Sequence, residues 1–149
     1  MNPMWTDIAQ GVGSLLSCVI AIIGFVFVIG QLRQVEKTIR KDALESLYGR
    51  VQEIHQVILN NPEMKPFFYD KKPMPEDEAT LSRLAICAEM VLDFYELITY
   101  QKEFMPAHLF NSWQVYIKDL YSNSFALQEH LQKNGAWYSI EMRQFLLVE

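Results

Sequence analysis

The chain has 149 residues, with 18 acidic and 13 basic side chains, a formal charge of −5 and half of its residues apolar. The acidic balance argues against a nucleic-acid partner, because clustered basic surfaces bind phosphate backbones. The two cysteines exclude a disulfide framework and a four-cysteine zinc site. The mean hydropathy of +0.01 hides an uneven distribution, since residues 8–32 contain no charged side chain.

Residues 1–10 are predicted to be a short tail, and residues 11–30 a transmembrane helix. The apolar stretch spans ~20 residues, the length needed to cross ~30 Å of hydrocarbon. The alternative is a buried helix of a soluble protein. A cleaved signal peptide does not fit, because no basic residue precedes the stretch and no small-residue cleavage site follows it. A lipoprotein signal at Cys18 fits poorly, because most of the apolar run follows that cysteine.

The orientation of the span follows from its flanking charges. Arg33, Lys37, Arg40 and Lys41 follow it, and no basic residue precedes it. Basic residues near a span stay on the cytoplasmic side. We therefore expect a single-pass protein of the bacterial inner (plasma) membrane, with its N-terminus outside and its C-terminal domain cytoplasmic. The same four side chains would bind anionic lipid headgroups, although a role in topology alone would account for them.

One face of the predicted span carries small residues at Gly13, Ser14, Ser17, Ala21 and Gly24. Small side chains let two helix backbones approach closely, and membrane helices associate by such packing. This face predicts self-association. The alternative is that small residues are common in any membrane helix.

A juxtamembrane helix is predicted over residues 31–61, because no proline interrupts this range before Pro62. Its apolar residues form a heptad stripe that we expect to pack in the cytoplasmic domain, namely Leu44, Leu47, Val51, Ile54 and Ile58. Gly49 is the weak point inside this helix, and the sequence leaves open whether the helix is continuous through it or breaks there.

A proline-rich loop is predicted over residues 62–75, with aromatic side chains that tuck against the helices. Residues 76–149 then form a predicted helical bundle that packs with residues 44–60, and no stretch alternates with the period of a strand. We expect helices that begin near Pro75 and Pro106, a short helix over Phe125–Leu131, and a last short helix after Asn134-Gly135. The fold class is therefore all-α.

Three carboxylates share one face of the helix that begins near Pro75, at Glu89, Asp93 and Glu96. Carboxylates this close raise one another's proton affinity or bind a divalent cation, so they are weak candidates for a metal site. The alternatives are a solvated acidic face and a surface that pairs with basic residues of other helices.

Aromatic residues follow the acidic face. Tyr95, Tyr100 and Trp113, with Glu96 as a polar group, would line a pocket for a planar ligand. The alternative is that aromatic residues at helical spacing simply form the core. No catalytic or phosphate-binding motif is present, so we expect no enzyme, no catalytic residue and no cofactor.

Several short segments give a resemblance to a known group. They are Asn61-Pro62-Glu63, the stretch 94–98 (FYELI), Trp113, and Trp137-Tyr138 with Phe145. Together with the N-terminal span, they resemble uncharacterised bacterial membrane-anchored helical proteins, known only as domains of unknown function. The resemblance implies an α-helical cytoplasmic module and supplies no activity.

The sequence therefore predicts a single-pass, membrane-anchored helical module that acts as an interaction module, scaffold or regulatory subunit. Its expected partners are membrane lipid and either further copies of itself or another membrane protein. Two alternatives remain: a ligand sensor or enzyme that uses the aromatic pocket, and an accessory or pore-forming subunit of a transport complex.

Overall fold

The computed structural model describes the backbone of residues 3–147, and the side chains of Gly13 and of residues 16–147. All regular elements in this range are helical, which confirms the all-α prediction. The α-helices are α1 (Pro3–Asn60), α2 (Lys65–Tyr69), α3 (Glu78–Tyr100), α4 (Ala107–Ser122), α5 (Phe125–Asn134) and α6 (Ile140–Leu147). Short 3-10 helices lie at Pro62–Met64, Lys102–Phe104 and Gly135–Trp137. The chain divides into two compact units, residues 1–41 and residues 42–149.

The first unit contains the apolar part of α1. A window of 18 residues there has a mean hydropathy of 2.1, and none of it is buried within the structure. This helix is therefore long and apolar enough to cross a membrane. Helix α1 begins at Pro3, so the backbone of residues 3–10, expected to form a tail, is helical. The side chains of residues 1–12, of Ser14 and of Leu15 lie outside the described residues.

The second unit is built around α3. This helix begins at Glu78 because Asp77 is its N-cap, whose carboxylate accepts a hydrogen bond from the Thr80 N–H at 2.8 Å. Helix α3 contacts α4, α5 and α6. Because it packs on several sides, it buries a wide face that comprises Leu84, Cys87, Ala88, Val91, Leu92, Phe94, Tyr95 and Ile98.

The C-terminal part of α1 completes this core. Leu47, Ile54 and Ile58 are buried, and Leu44 and Val51 pack against them, so the predicted heptad stripe is confirmed. The structure answers the question that the sequence left open at Gly49, because α1 remains helical through this residue. A helical glycine costs ~1 kcal/mol relative to alanine, which the packing of the stripe on either side offsets.

The structure also corrects the loop expected over residues 62–75. Its first half contains the 3-10 helix Pro62–Met64 and helix α2, and α2 buries Phe67 and Phe68. Lys71 then adopts a positive φ of 50°, and its N–H donates a hydrogen bond of 3.0 Å to the Asn123 carbonyl. This conformation turns the chain away from α2 and fixes it to the end of α4.

Ser124 joins α5 to α2. Its fully buried hydroxyl donates a hydrogen bond to the Phe67 carbonyl at 3.0 Å, and its oxygen accepts one from the Leu127 N–H at 3.2 Å. The second bond caps α5, which begins at Phe125 as predicted and extends to Asn134, beyond the predicted end at Leu131.

Candidate functional site

A groove runs between α1 and α3 within the second unit, and we call it the α1–α3 groove. It consists of two depressions of about 310 and 200 Å³, and Met90 lines both. The larger size is at the lower end of the range for ligand pockets. The lining residues of the groove are Arg50, Glu53, Ile54, Val57, Asn61, Met64, Arg83, Ile86, Cys87, Met90, Asp93, Phe94 and Leu97.

The floor of the groove is apolar, and the positive and negative charges of its lining residues are equal in number. Arg50 and Glu53 form an exposed ion pair at 3.3 Å, and Asp93 and Arg83 add one charge of each sign. Residues 42–149 as a whole hold sixteen acidic and nine basic side chains, a formal charge of −7. The groove is therefore an electrically neutral, partly apolar strip on an acidic domain.

The structure places the three predicted carboxylates of α3 in different surroundings. Glu89 and Asp93 are exposed, whereas Glu96 is half-buried and accepts a hydrogen bond from the Ser139 N–H at 2.9 Å. Although the Asp93 residue is exposed, neighbouring atoms partly shield its carboxyl group from water, and this desolvation, together with the charges of Glu89 and Glu96, raises the pKa of Asp93. Among the described residues, no group of three or more His, Cys, Asp and Glu side chains is arranged to hold a metal ion.

Glu96 instead helps to begin α6. Ser139 precedes this helix, and its hydroxyl oxygen accepts a hydrogen bond from the Met142 N–H at 3.2 Å. In a capping box, a glutamate at the third helical position returns a hydrogen bond to the N–H of the capping residue. Here the third helical position holds Met142 and not a glutamate. The hydrogen bond from the Ser139 N–H is accepted by Glu96 of α3 instead. The carboxylate therefore fixes α6 to α3.

His130 of α5 lies close enough to Glu89 and Asp93 to interact with their charges. It is buried, its Nε2 lies 3.2 Å from the side-chain nitrogen of Asn134, and its ring contacts Trp137 and Tyr138 edge to face. Burial lowers the pKa of His130, although the charges of Glu89 and Asp93 oppose this shift. A neutral histidine therefore suits the folded domain.

The residues predicted to line an aromatic pocket do not meet around one cavity. Tyr95 is 1% exposed and Tyr100 is 79% exposed, because positions five residues apart on a helix differ by about 140°. Trp113 packs edge to face on Phe94 at 5.4 Å, and Glu96 is held by Ser139. The cavity beside Tyr95 measures about 10 Å³, which is no larger than one water molecule. The structure therefore corrects the expected pocket.

The predicted helix-association face lies in the first unit. Ser17, Ala21 and Gly24 are exposed, and nothing within 4 Å would obstruct a side chain at Gly13 or Gly24. The Ser17 hydroxyl donates a hydrogen bond to the Gly13 carbonyl at 2.9 Å, so this hydroxyl already has an acceptor within its own helix. The side chain of Ser14 lies outside the described residues.

The four basic residues after the apolar stretch are exposed in the same unit. Arg40 pairs with Glu36 at 2.7 Å, which leaves its charge partly balanced. Arg33, Lys37 and Lys41 lie on the exposed surface of α1. This region therefore keeps its basic character in the folded chain, as the sequence predicts.

No family model, curated protein or solved structure matches this chain. The residues named above therefore carry the functional argument. Sequence reasoning missed the α1–α3 groove, because the lining residues of its larger depression come from two segments that are 36 to 47 positions apart. One signal was present: Arg50, Glu53 and Val57 recur at spacings of three and four on a face beside the heptad stripe.

Proposed function

We propose that the protein is a single-pass membrane protein whose cytoplasmic helical domain is an interaction module, acting as a scaffold or regulatory subunit that associates with its own copies. The observation that carries the proposal is the apolar stretch of α1, none of which is buried against the described part of the chain. An exposed apolar surface of this size is unfavourable in water and favourable in hydrocarbon.

The charge distribution supports an inner-membrane location with the C-terminal domain in the cytoplasm. Four basic residues follow the apolar stretch, and the domain after them has a formal charge of −7. Anionic headgroups attract the first and repel the second, each basic residue contributing ~1 kcal/mol near the surface. Lipid is therefore a proposed partner at Arg33, Lys37, Arg40 and Lys41.

Self-association is proposed through the face of small residues at Gly13, Ser14, Ser17, Ala21 and Gly24. Crosslinking in native membranes tests it, by comparing wild type with the double variant Ser17→Leu plus Ala21→Leu. The added leucines hold the helices apart, so we expect the dimer band to weaken.

A matched control adds two leucines to the opposite side of the same helix, as Val19→Leu plus Ile23→Leu. These positions lie about 200° from the substituted small residues at 100° per residue. The control should crosslink as wild type does. Equal dimer bands in all three proteins, or monomer alone in all three, would contradict association through this face.

A further inference from the structure

We infer that the segment of α1 just outside the membrane packs, in parallel, against the same segment of a second copy of this chain. The contact is made by Leu32, Val35 and Ile39, which we call the juxtamembrane stripe and which lie within the first unit. The inference rests on the proposed anchoring and self-association, since copies in one membrane enter the cytoplasm in the same direction. It adds a contact outside the membrane to the one proposed inside it.

The juxtamembrane stripe is an exposed apolar surface within a polar segment. Residues 31–41 read QLRQVEKTIRK, and their apolar members Leu32, Val35 and Ile39 are 63, 53 and 56% exposed. At 100° per residue, these three side chains lie within a sector of about 60° of the helix surface. Apolar residues at spacings of three and four among charged residues are typical of a helix that packs against another helix.

Lipid does not cover the whole stripe. Ile39 is nine residues beyond Gly30, the last residue of the predicted span, which is ~13 Å along a helix. The headgroup layer on one side of a bilayer is only about 5 to 8 Å thick. Helix α1 is also unbroken from the span through this segment, so the segment does not lie flat on the membrane as an amphipathic surface helix does. A protein partner is therefore the occupant that removes Ile39 from water.

The juxtamembrane stripe continues the face proposed for association within the membrane. Steps of three and four residues connect Ser17, Ala21, Gly24, Val28, Leu32, Val35 and Ile39. All of them lie within a sector of ~80°, because the order of the steps keeps the face straight along the helix. A partner that covers this face is a helix that crosses the membrane and continues beyond it in the same direction. Helix α1 of a second copy has this form.

Polar residues beside the stripe are complementary between two copies. With the stripe residues at the a and d positions of a heptad, Gln31 is a g position and Glu36 is the following e position, and these face each other across a parallel pair. The Gln31 amide of each copy can then donate a hydrogen bond to the Glu36 carboxylate of the other, twice across a two-fold axis. Arg40 binds Oε1 of Glu36 at 2.7 Å, and Oε2 accepts the new bond.

The basic residues of the segment face away from this contact. Arg33, Lys37 and Lys41 follow one another at intervals of four, and their common direction is ~170° from that of the stripe. Two copies can therefore pair without bringing these charges together. Anchoring in one membrane also raises the effective concentration of the copies, which favours a contact of this small size.

Disulfide crosslinking of the full-length protein in native membranes tests the inference. Every variant carries Cys18→Ala, whereas Cys87 is retained because it is 2% exposed. Val35→Cys places a thiol on the stripe, and the matched control Lys37→Cys places one on the opposite side. A disulfide requires Cβ atoms ~4 Å apart, so after oxidation we expect about tenfold more dimer, of twice the chain mass, from Val35→Cys. Equal yields from the two variants would overturn the inference.

A third variant, Ala21→Cys, separates this inference from the proposed function, because Ala21 belongs to the face within the membrane. If Ala21→Cys formed a dimer and Val35→Cys did not, the copies would associate only within the membrane, and the juxtamembrane contact alone would fail. If neither formed a dimer, the proposed self-association would fail with it. A Val35→Cys product of any other mass would show a different partner and would also contradict the inference.

Substitutions of Gln31 in the Val35→Cys protein test the polar contact. Gln31→Glu places a like charge opposite Glu36 of the second copy, and Gln31→Lys places an opposite charge there. Because two such exposed pairs form, we expect about fivefold less dimer from Gln31→Glu than from Gln31→Lys. The matched control Gln34→Glu makes the same charge change ~130° from the stripe and should leave the yield unchanged. Equal yields from the two Gln31 variants, or an equal loss in Gln34→Glu, would refute the parallel contact.

Discussion

Replacing Glu96 by alanine tests whether this carboxylate is a structural group of α6. The substitution removes the acceptor of the Ser139 N–H, which now lies 2.9 Å away. A hydrogen bond to a charged group contributes about 1.5 to 3 kcal/mol, and the half-buried position of Glu96 places it at the lower end. The higher helix propensity of alanine returns ~0.3 kcal/mol. The net loss of stability is therefore about 1 kcal/mol, and we expect it to affect the local opening of α6.

The assay is amide hydrogen exchange of the full-length protein, read at residues 140–147. A loss of about 1 kcal/mol predicts ~5-fold faster exchange in this helix. Glu96→Gln keeps an oxygen acceptor and should show a smaller increase. Glu89→Ala is the matched control, because Glu89 is exposed on the same helix and leaves the Ser139 contact intact. Unchanged exchange of α6 in Glu96→Ala, or an equal increase in Glu89→Ala, would refute the reasoning.

Three further predictions concern the stability of the second unit. Ser124→Ala removes the cap of α5 and leaves the Phe67 carbonyl unpaired, so it should lower the free energy of unfolding by about 2 kcal/mol in a urea titration. The control variant Ser122→Ala, at an exposed position, should change the free energy of unfolding by less than ~0.5 kcal/mol. Lys71→Gly should stabilise the domain by about 0.5 kcal/mol, because glycine adopts a positive φ freely; a lower urea midpoint would contradict this role. Because the pKa of His130 is lowered in the folded domain, the unfolded chain takes up a proton at this residue at a higher pH, and stability should fall from about pH 7 to pH 5. The variant His130→Gln should reduce this fall in stability. A fall as large as that of the wild type would contradict the burial of His130 as its cause.

The helical architecture was predictable because apolar residues at spacings of three and four mark the buried faces. Leu47 and Ile54 of α1, and Leu84 and Val91 of α3, are buried as their spacing predicts. Near the C-terminus the sequence predicted a short helix but not which of its residues are buried. Trp137 and Ile140 are more than half exposed, whereas Tyr138 and Met142 are buried. In short helices, a spacing of three or four covers too few turns to define one face.

The site-level predictions depended on contacts that no local pattern encodes. Glu96 and Ser139 are 43 residues apart, and only the packing of α6 on α3 brings them together. The spacing of Glu89, Asp93 and Glu96 correctly placed them on one face of α3, but it did not reveal that Glu96 is engaged elsewhere. The same holds for the α1–α3 groove, whose shape depends on how far two distant helices are separated.

The most direct test of membrane anchoring is alkaline carbonate extraction of membranes that contain the full-length protein. The apolar stretch of α1 has a mean hydropathy of 2.1 over 18 residues and no buried part, so the protein should remain in the membrane pellet. A variant with Ile22→Lys plus Val26→Lys places two charges within the stretch and should be released, because a lysine near the bilayer centre costs ~3 kcal/mol. Release of the wild-type protein into the alkaline supernatant would contradict the account.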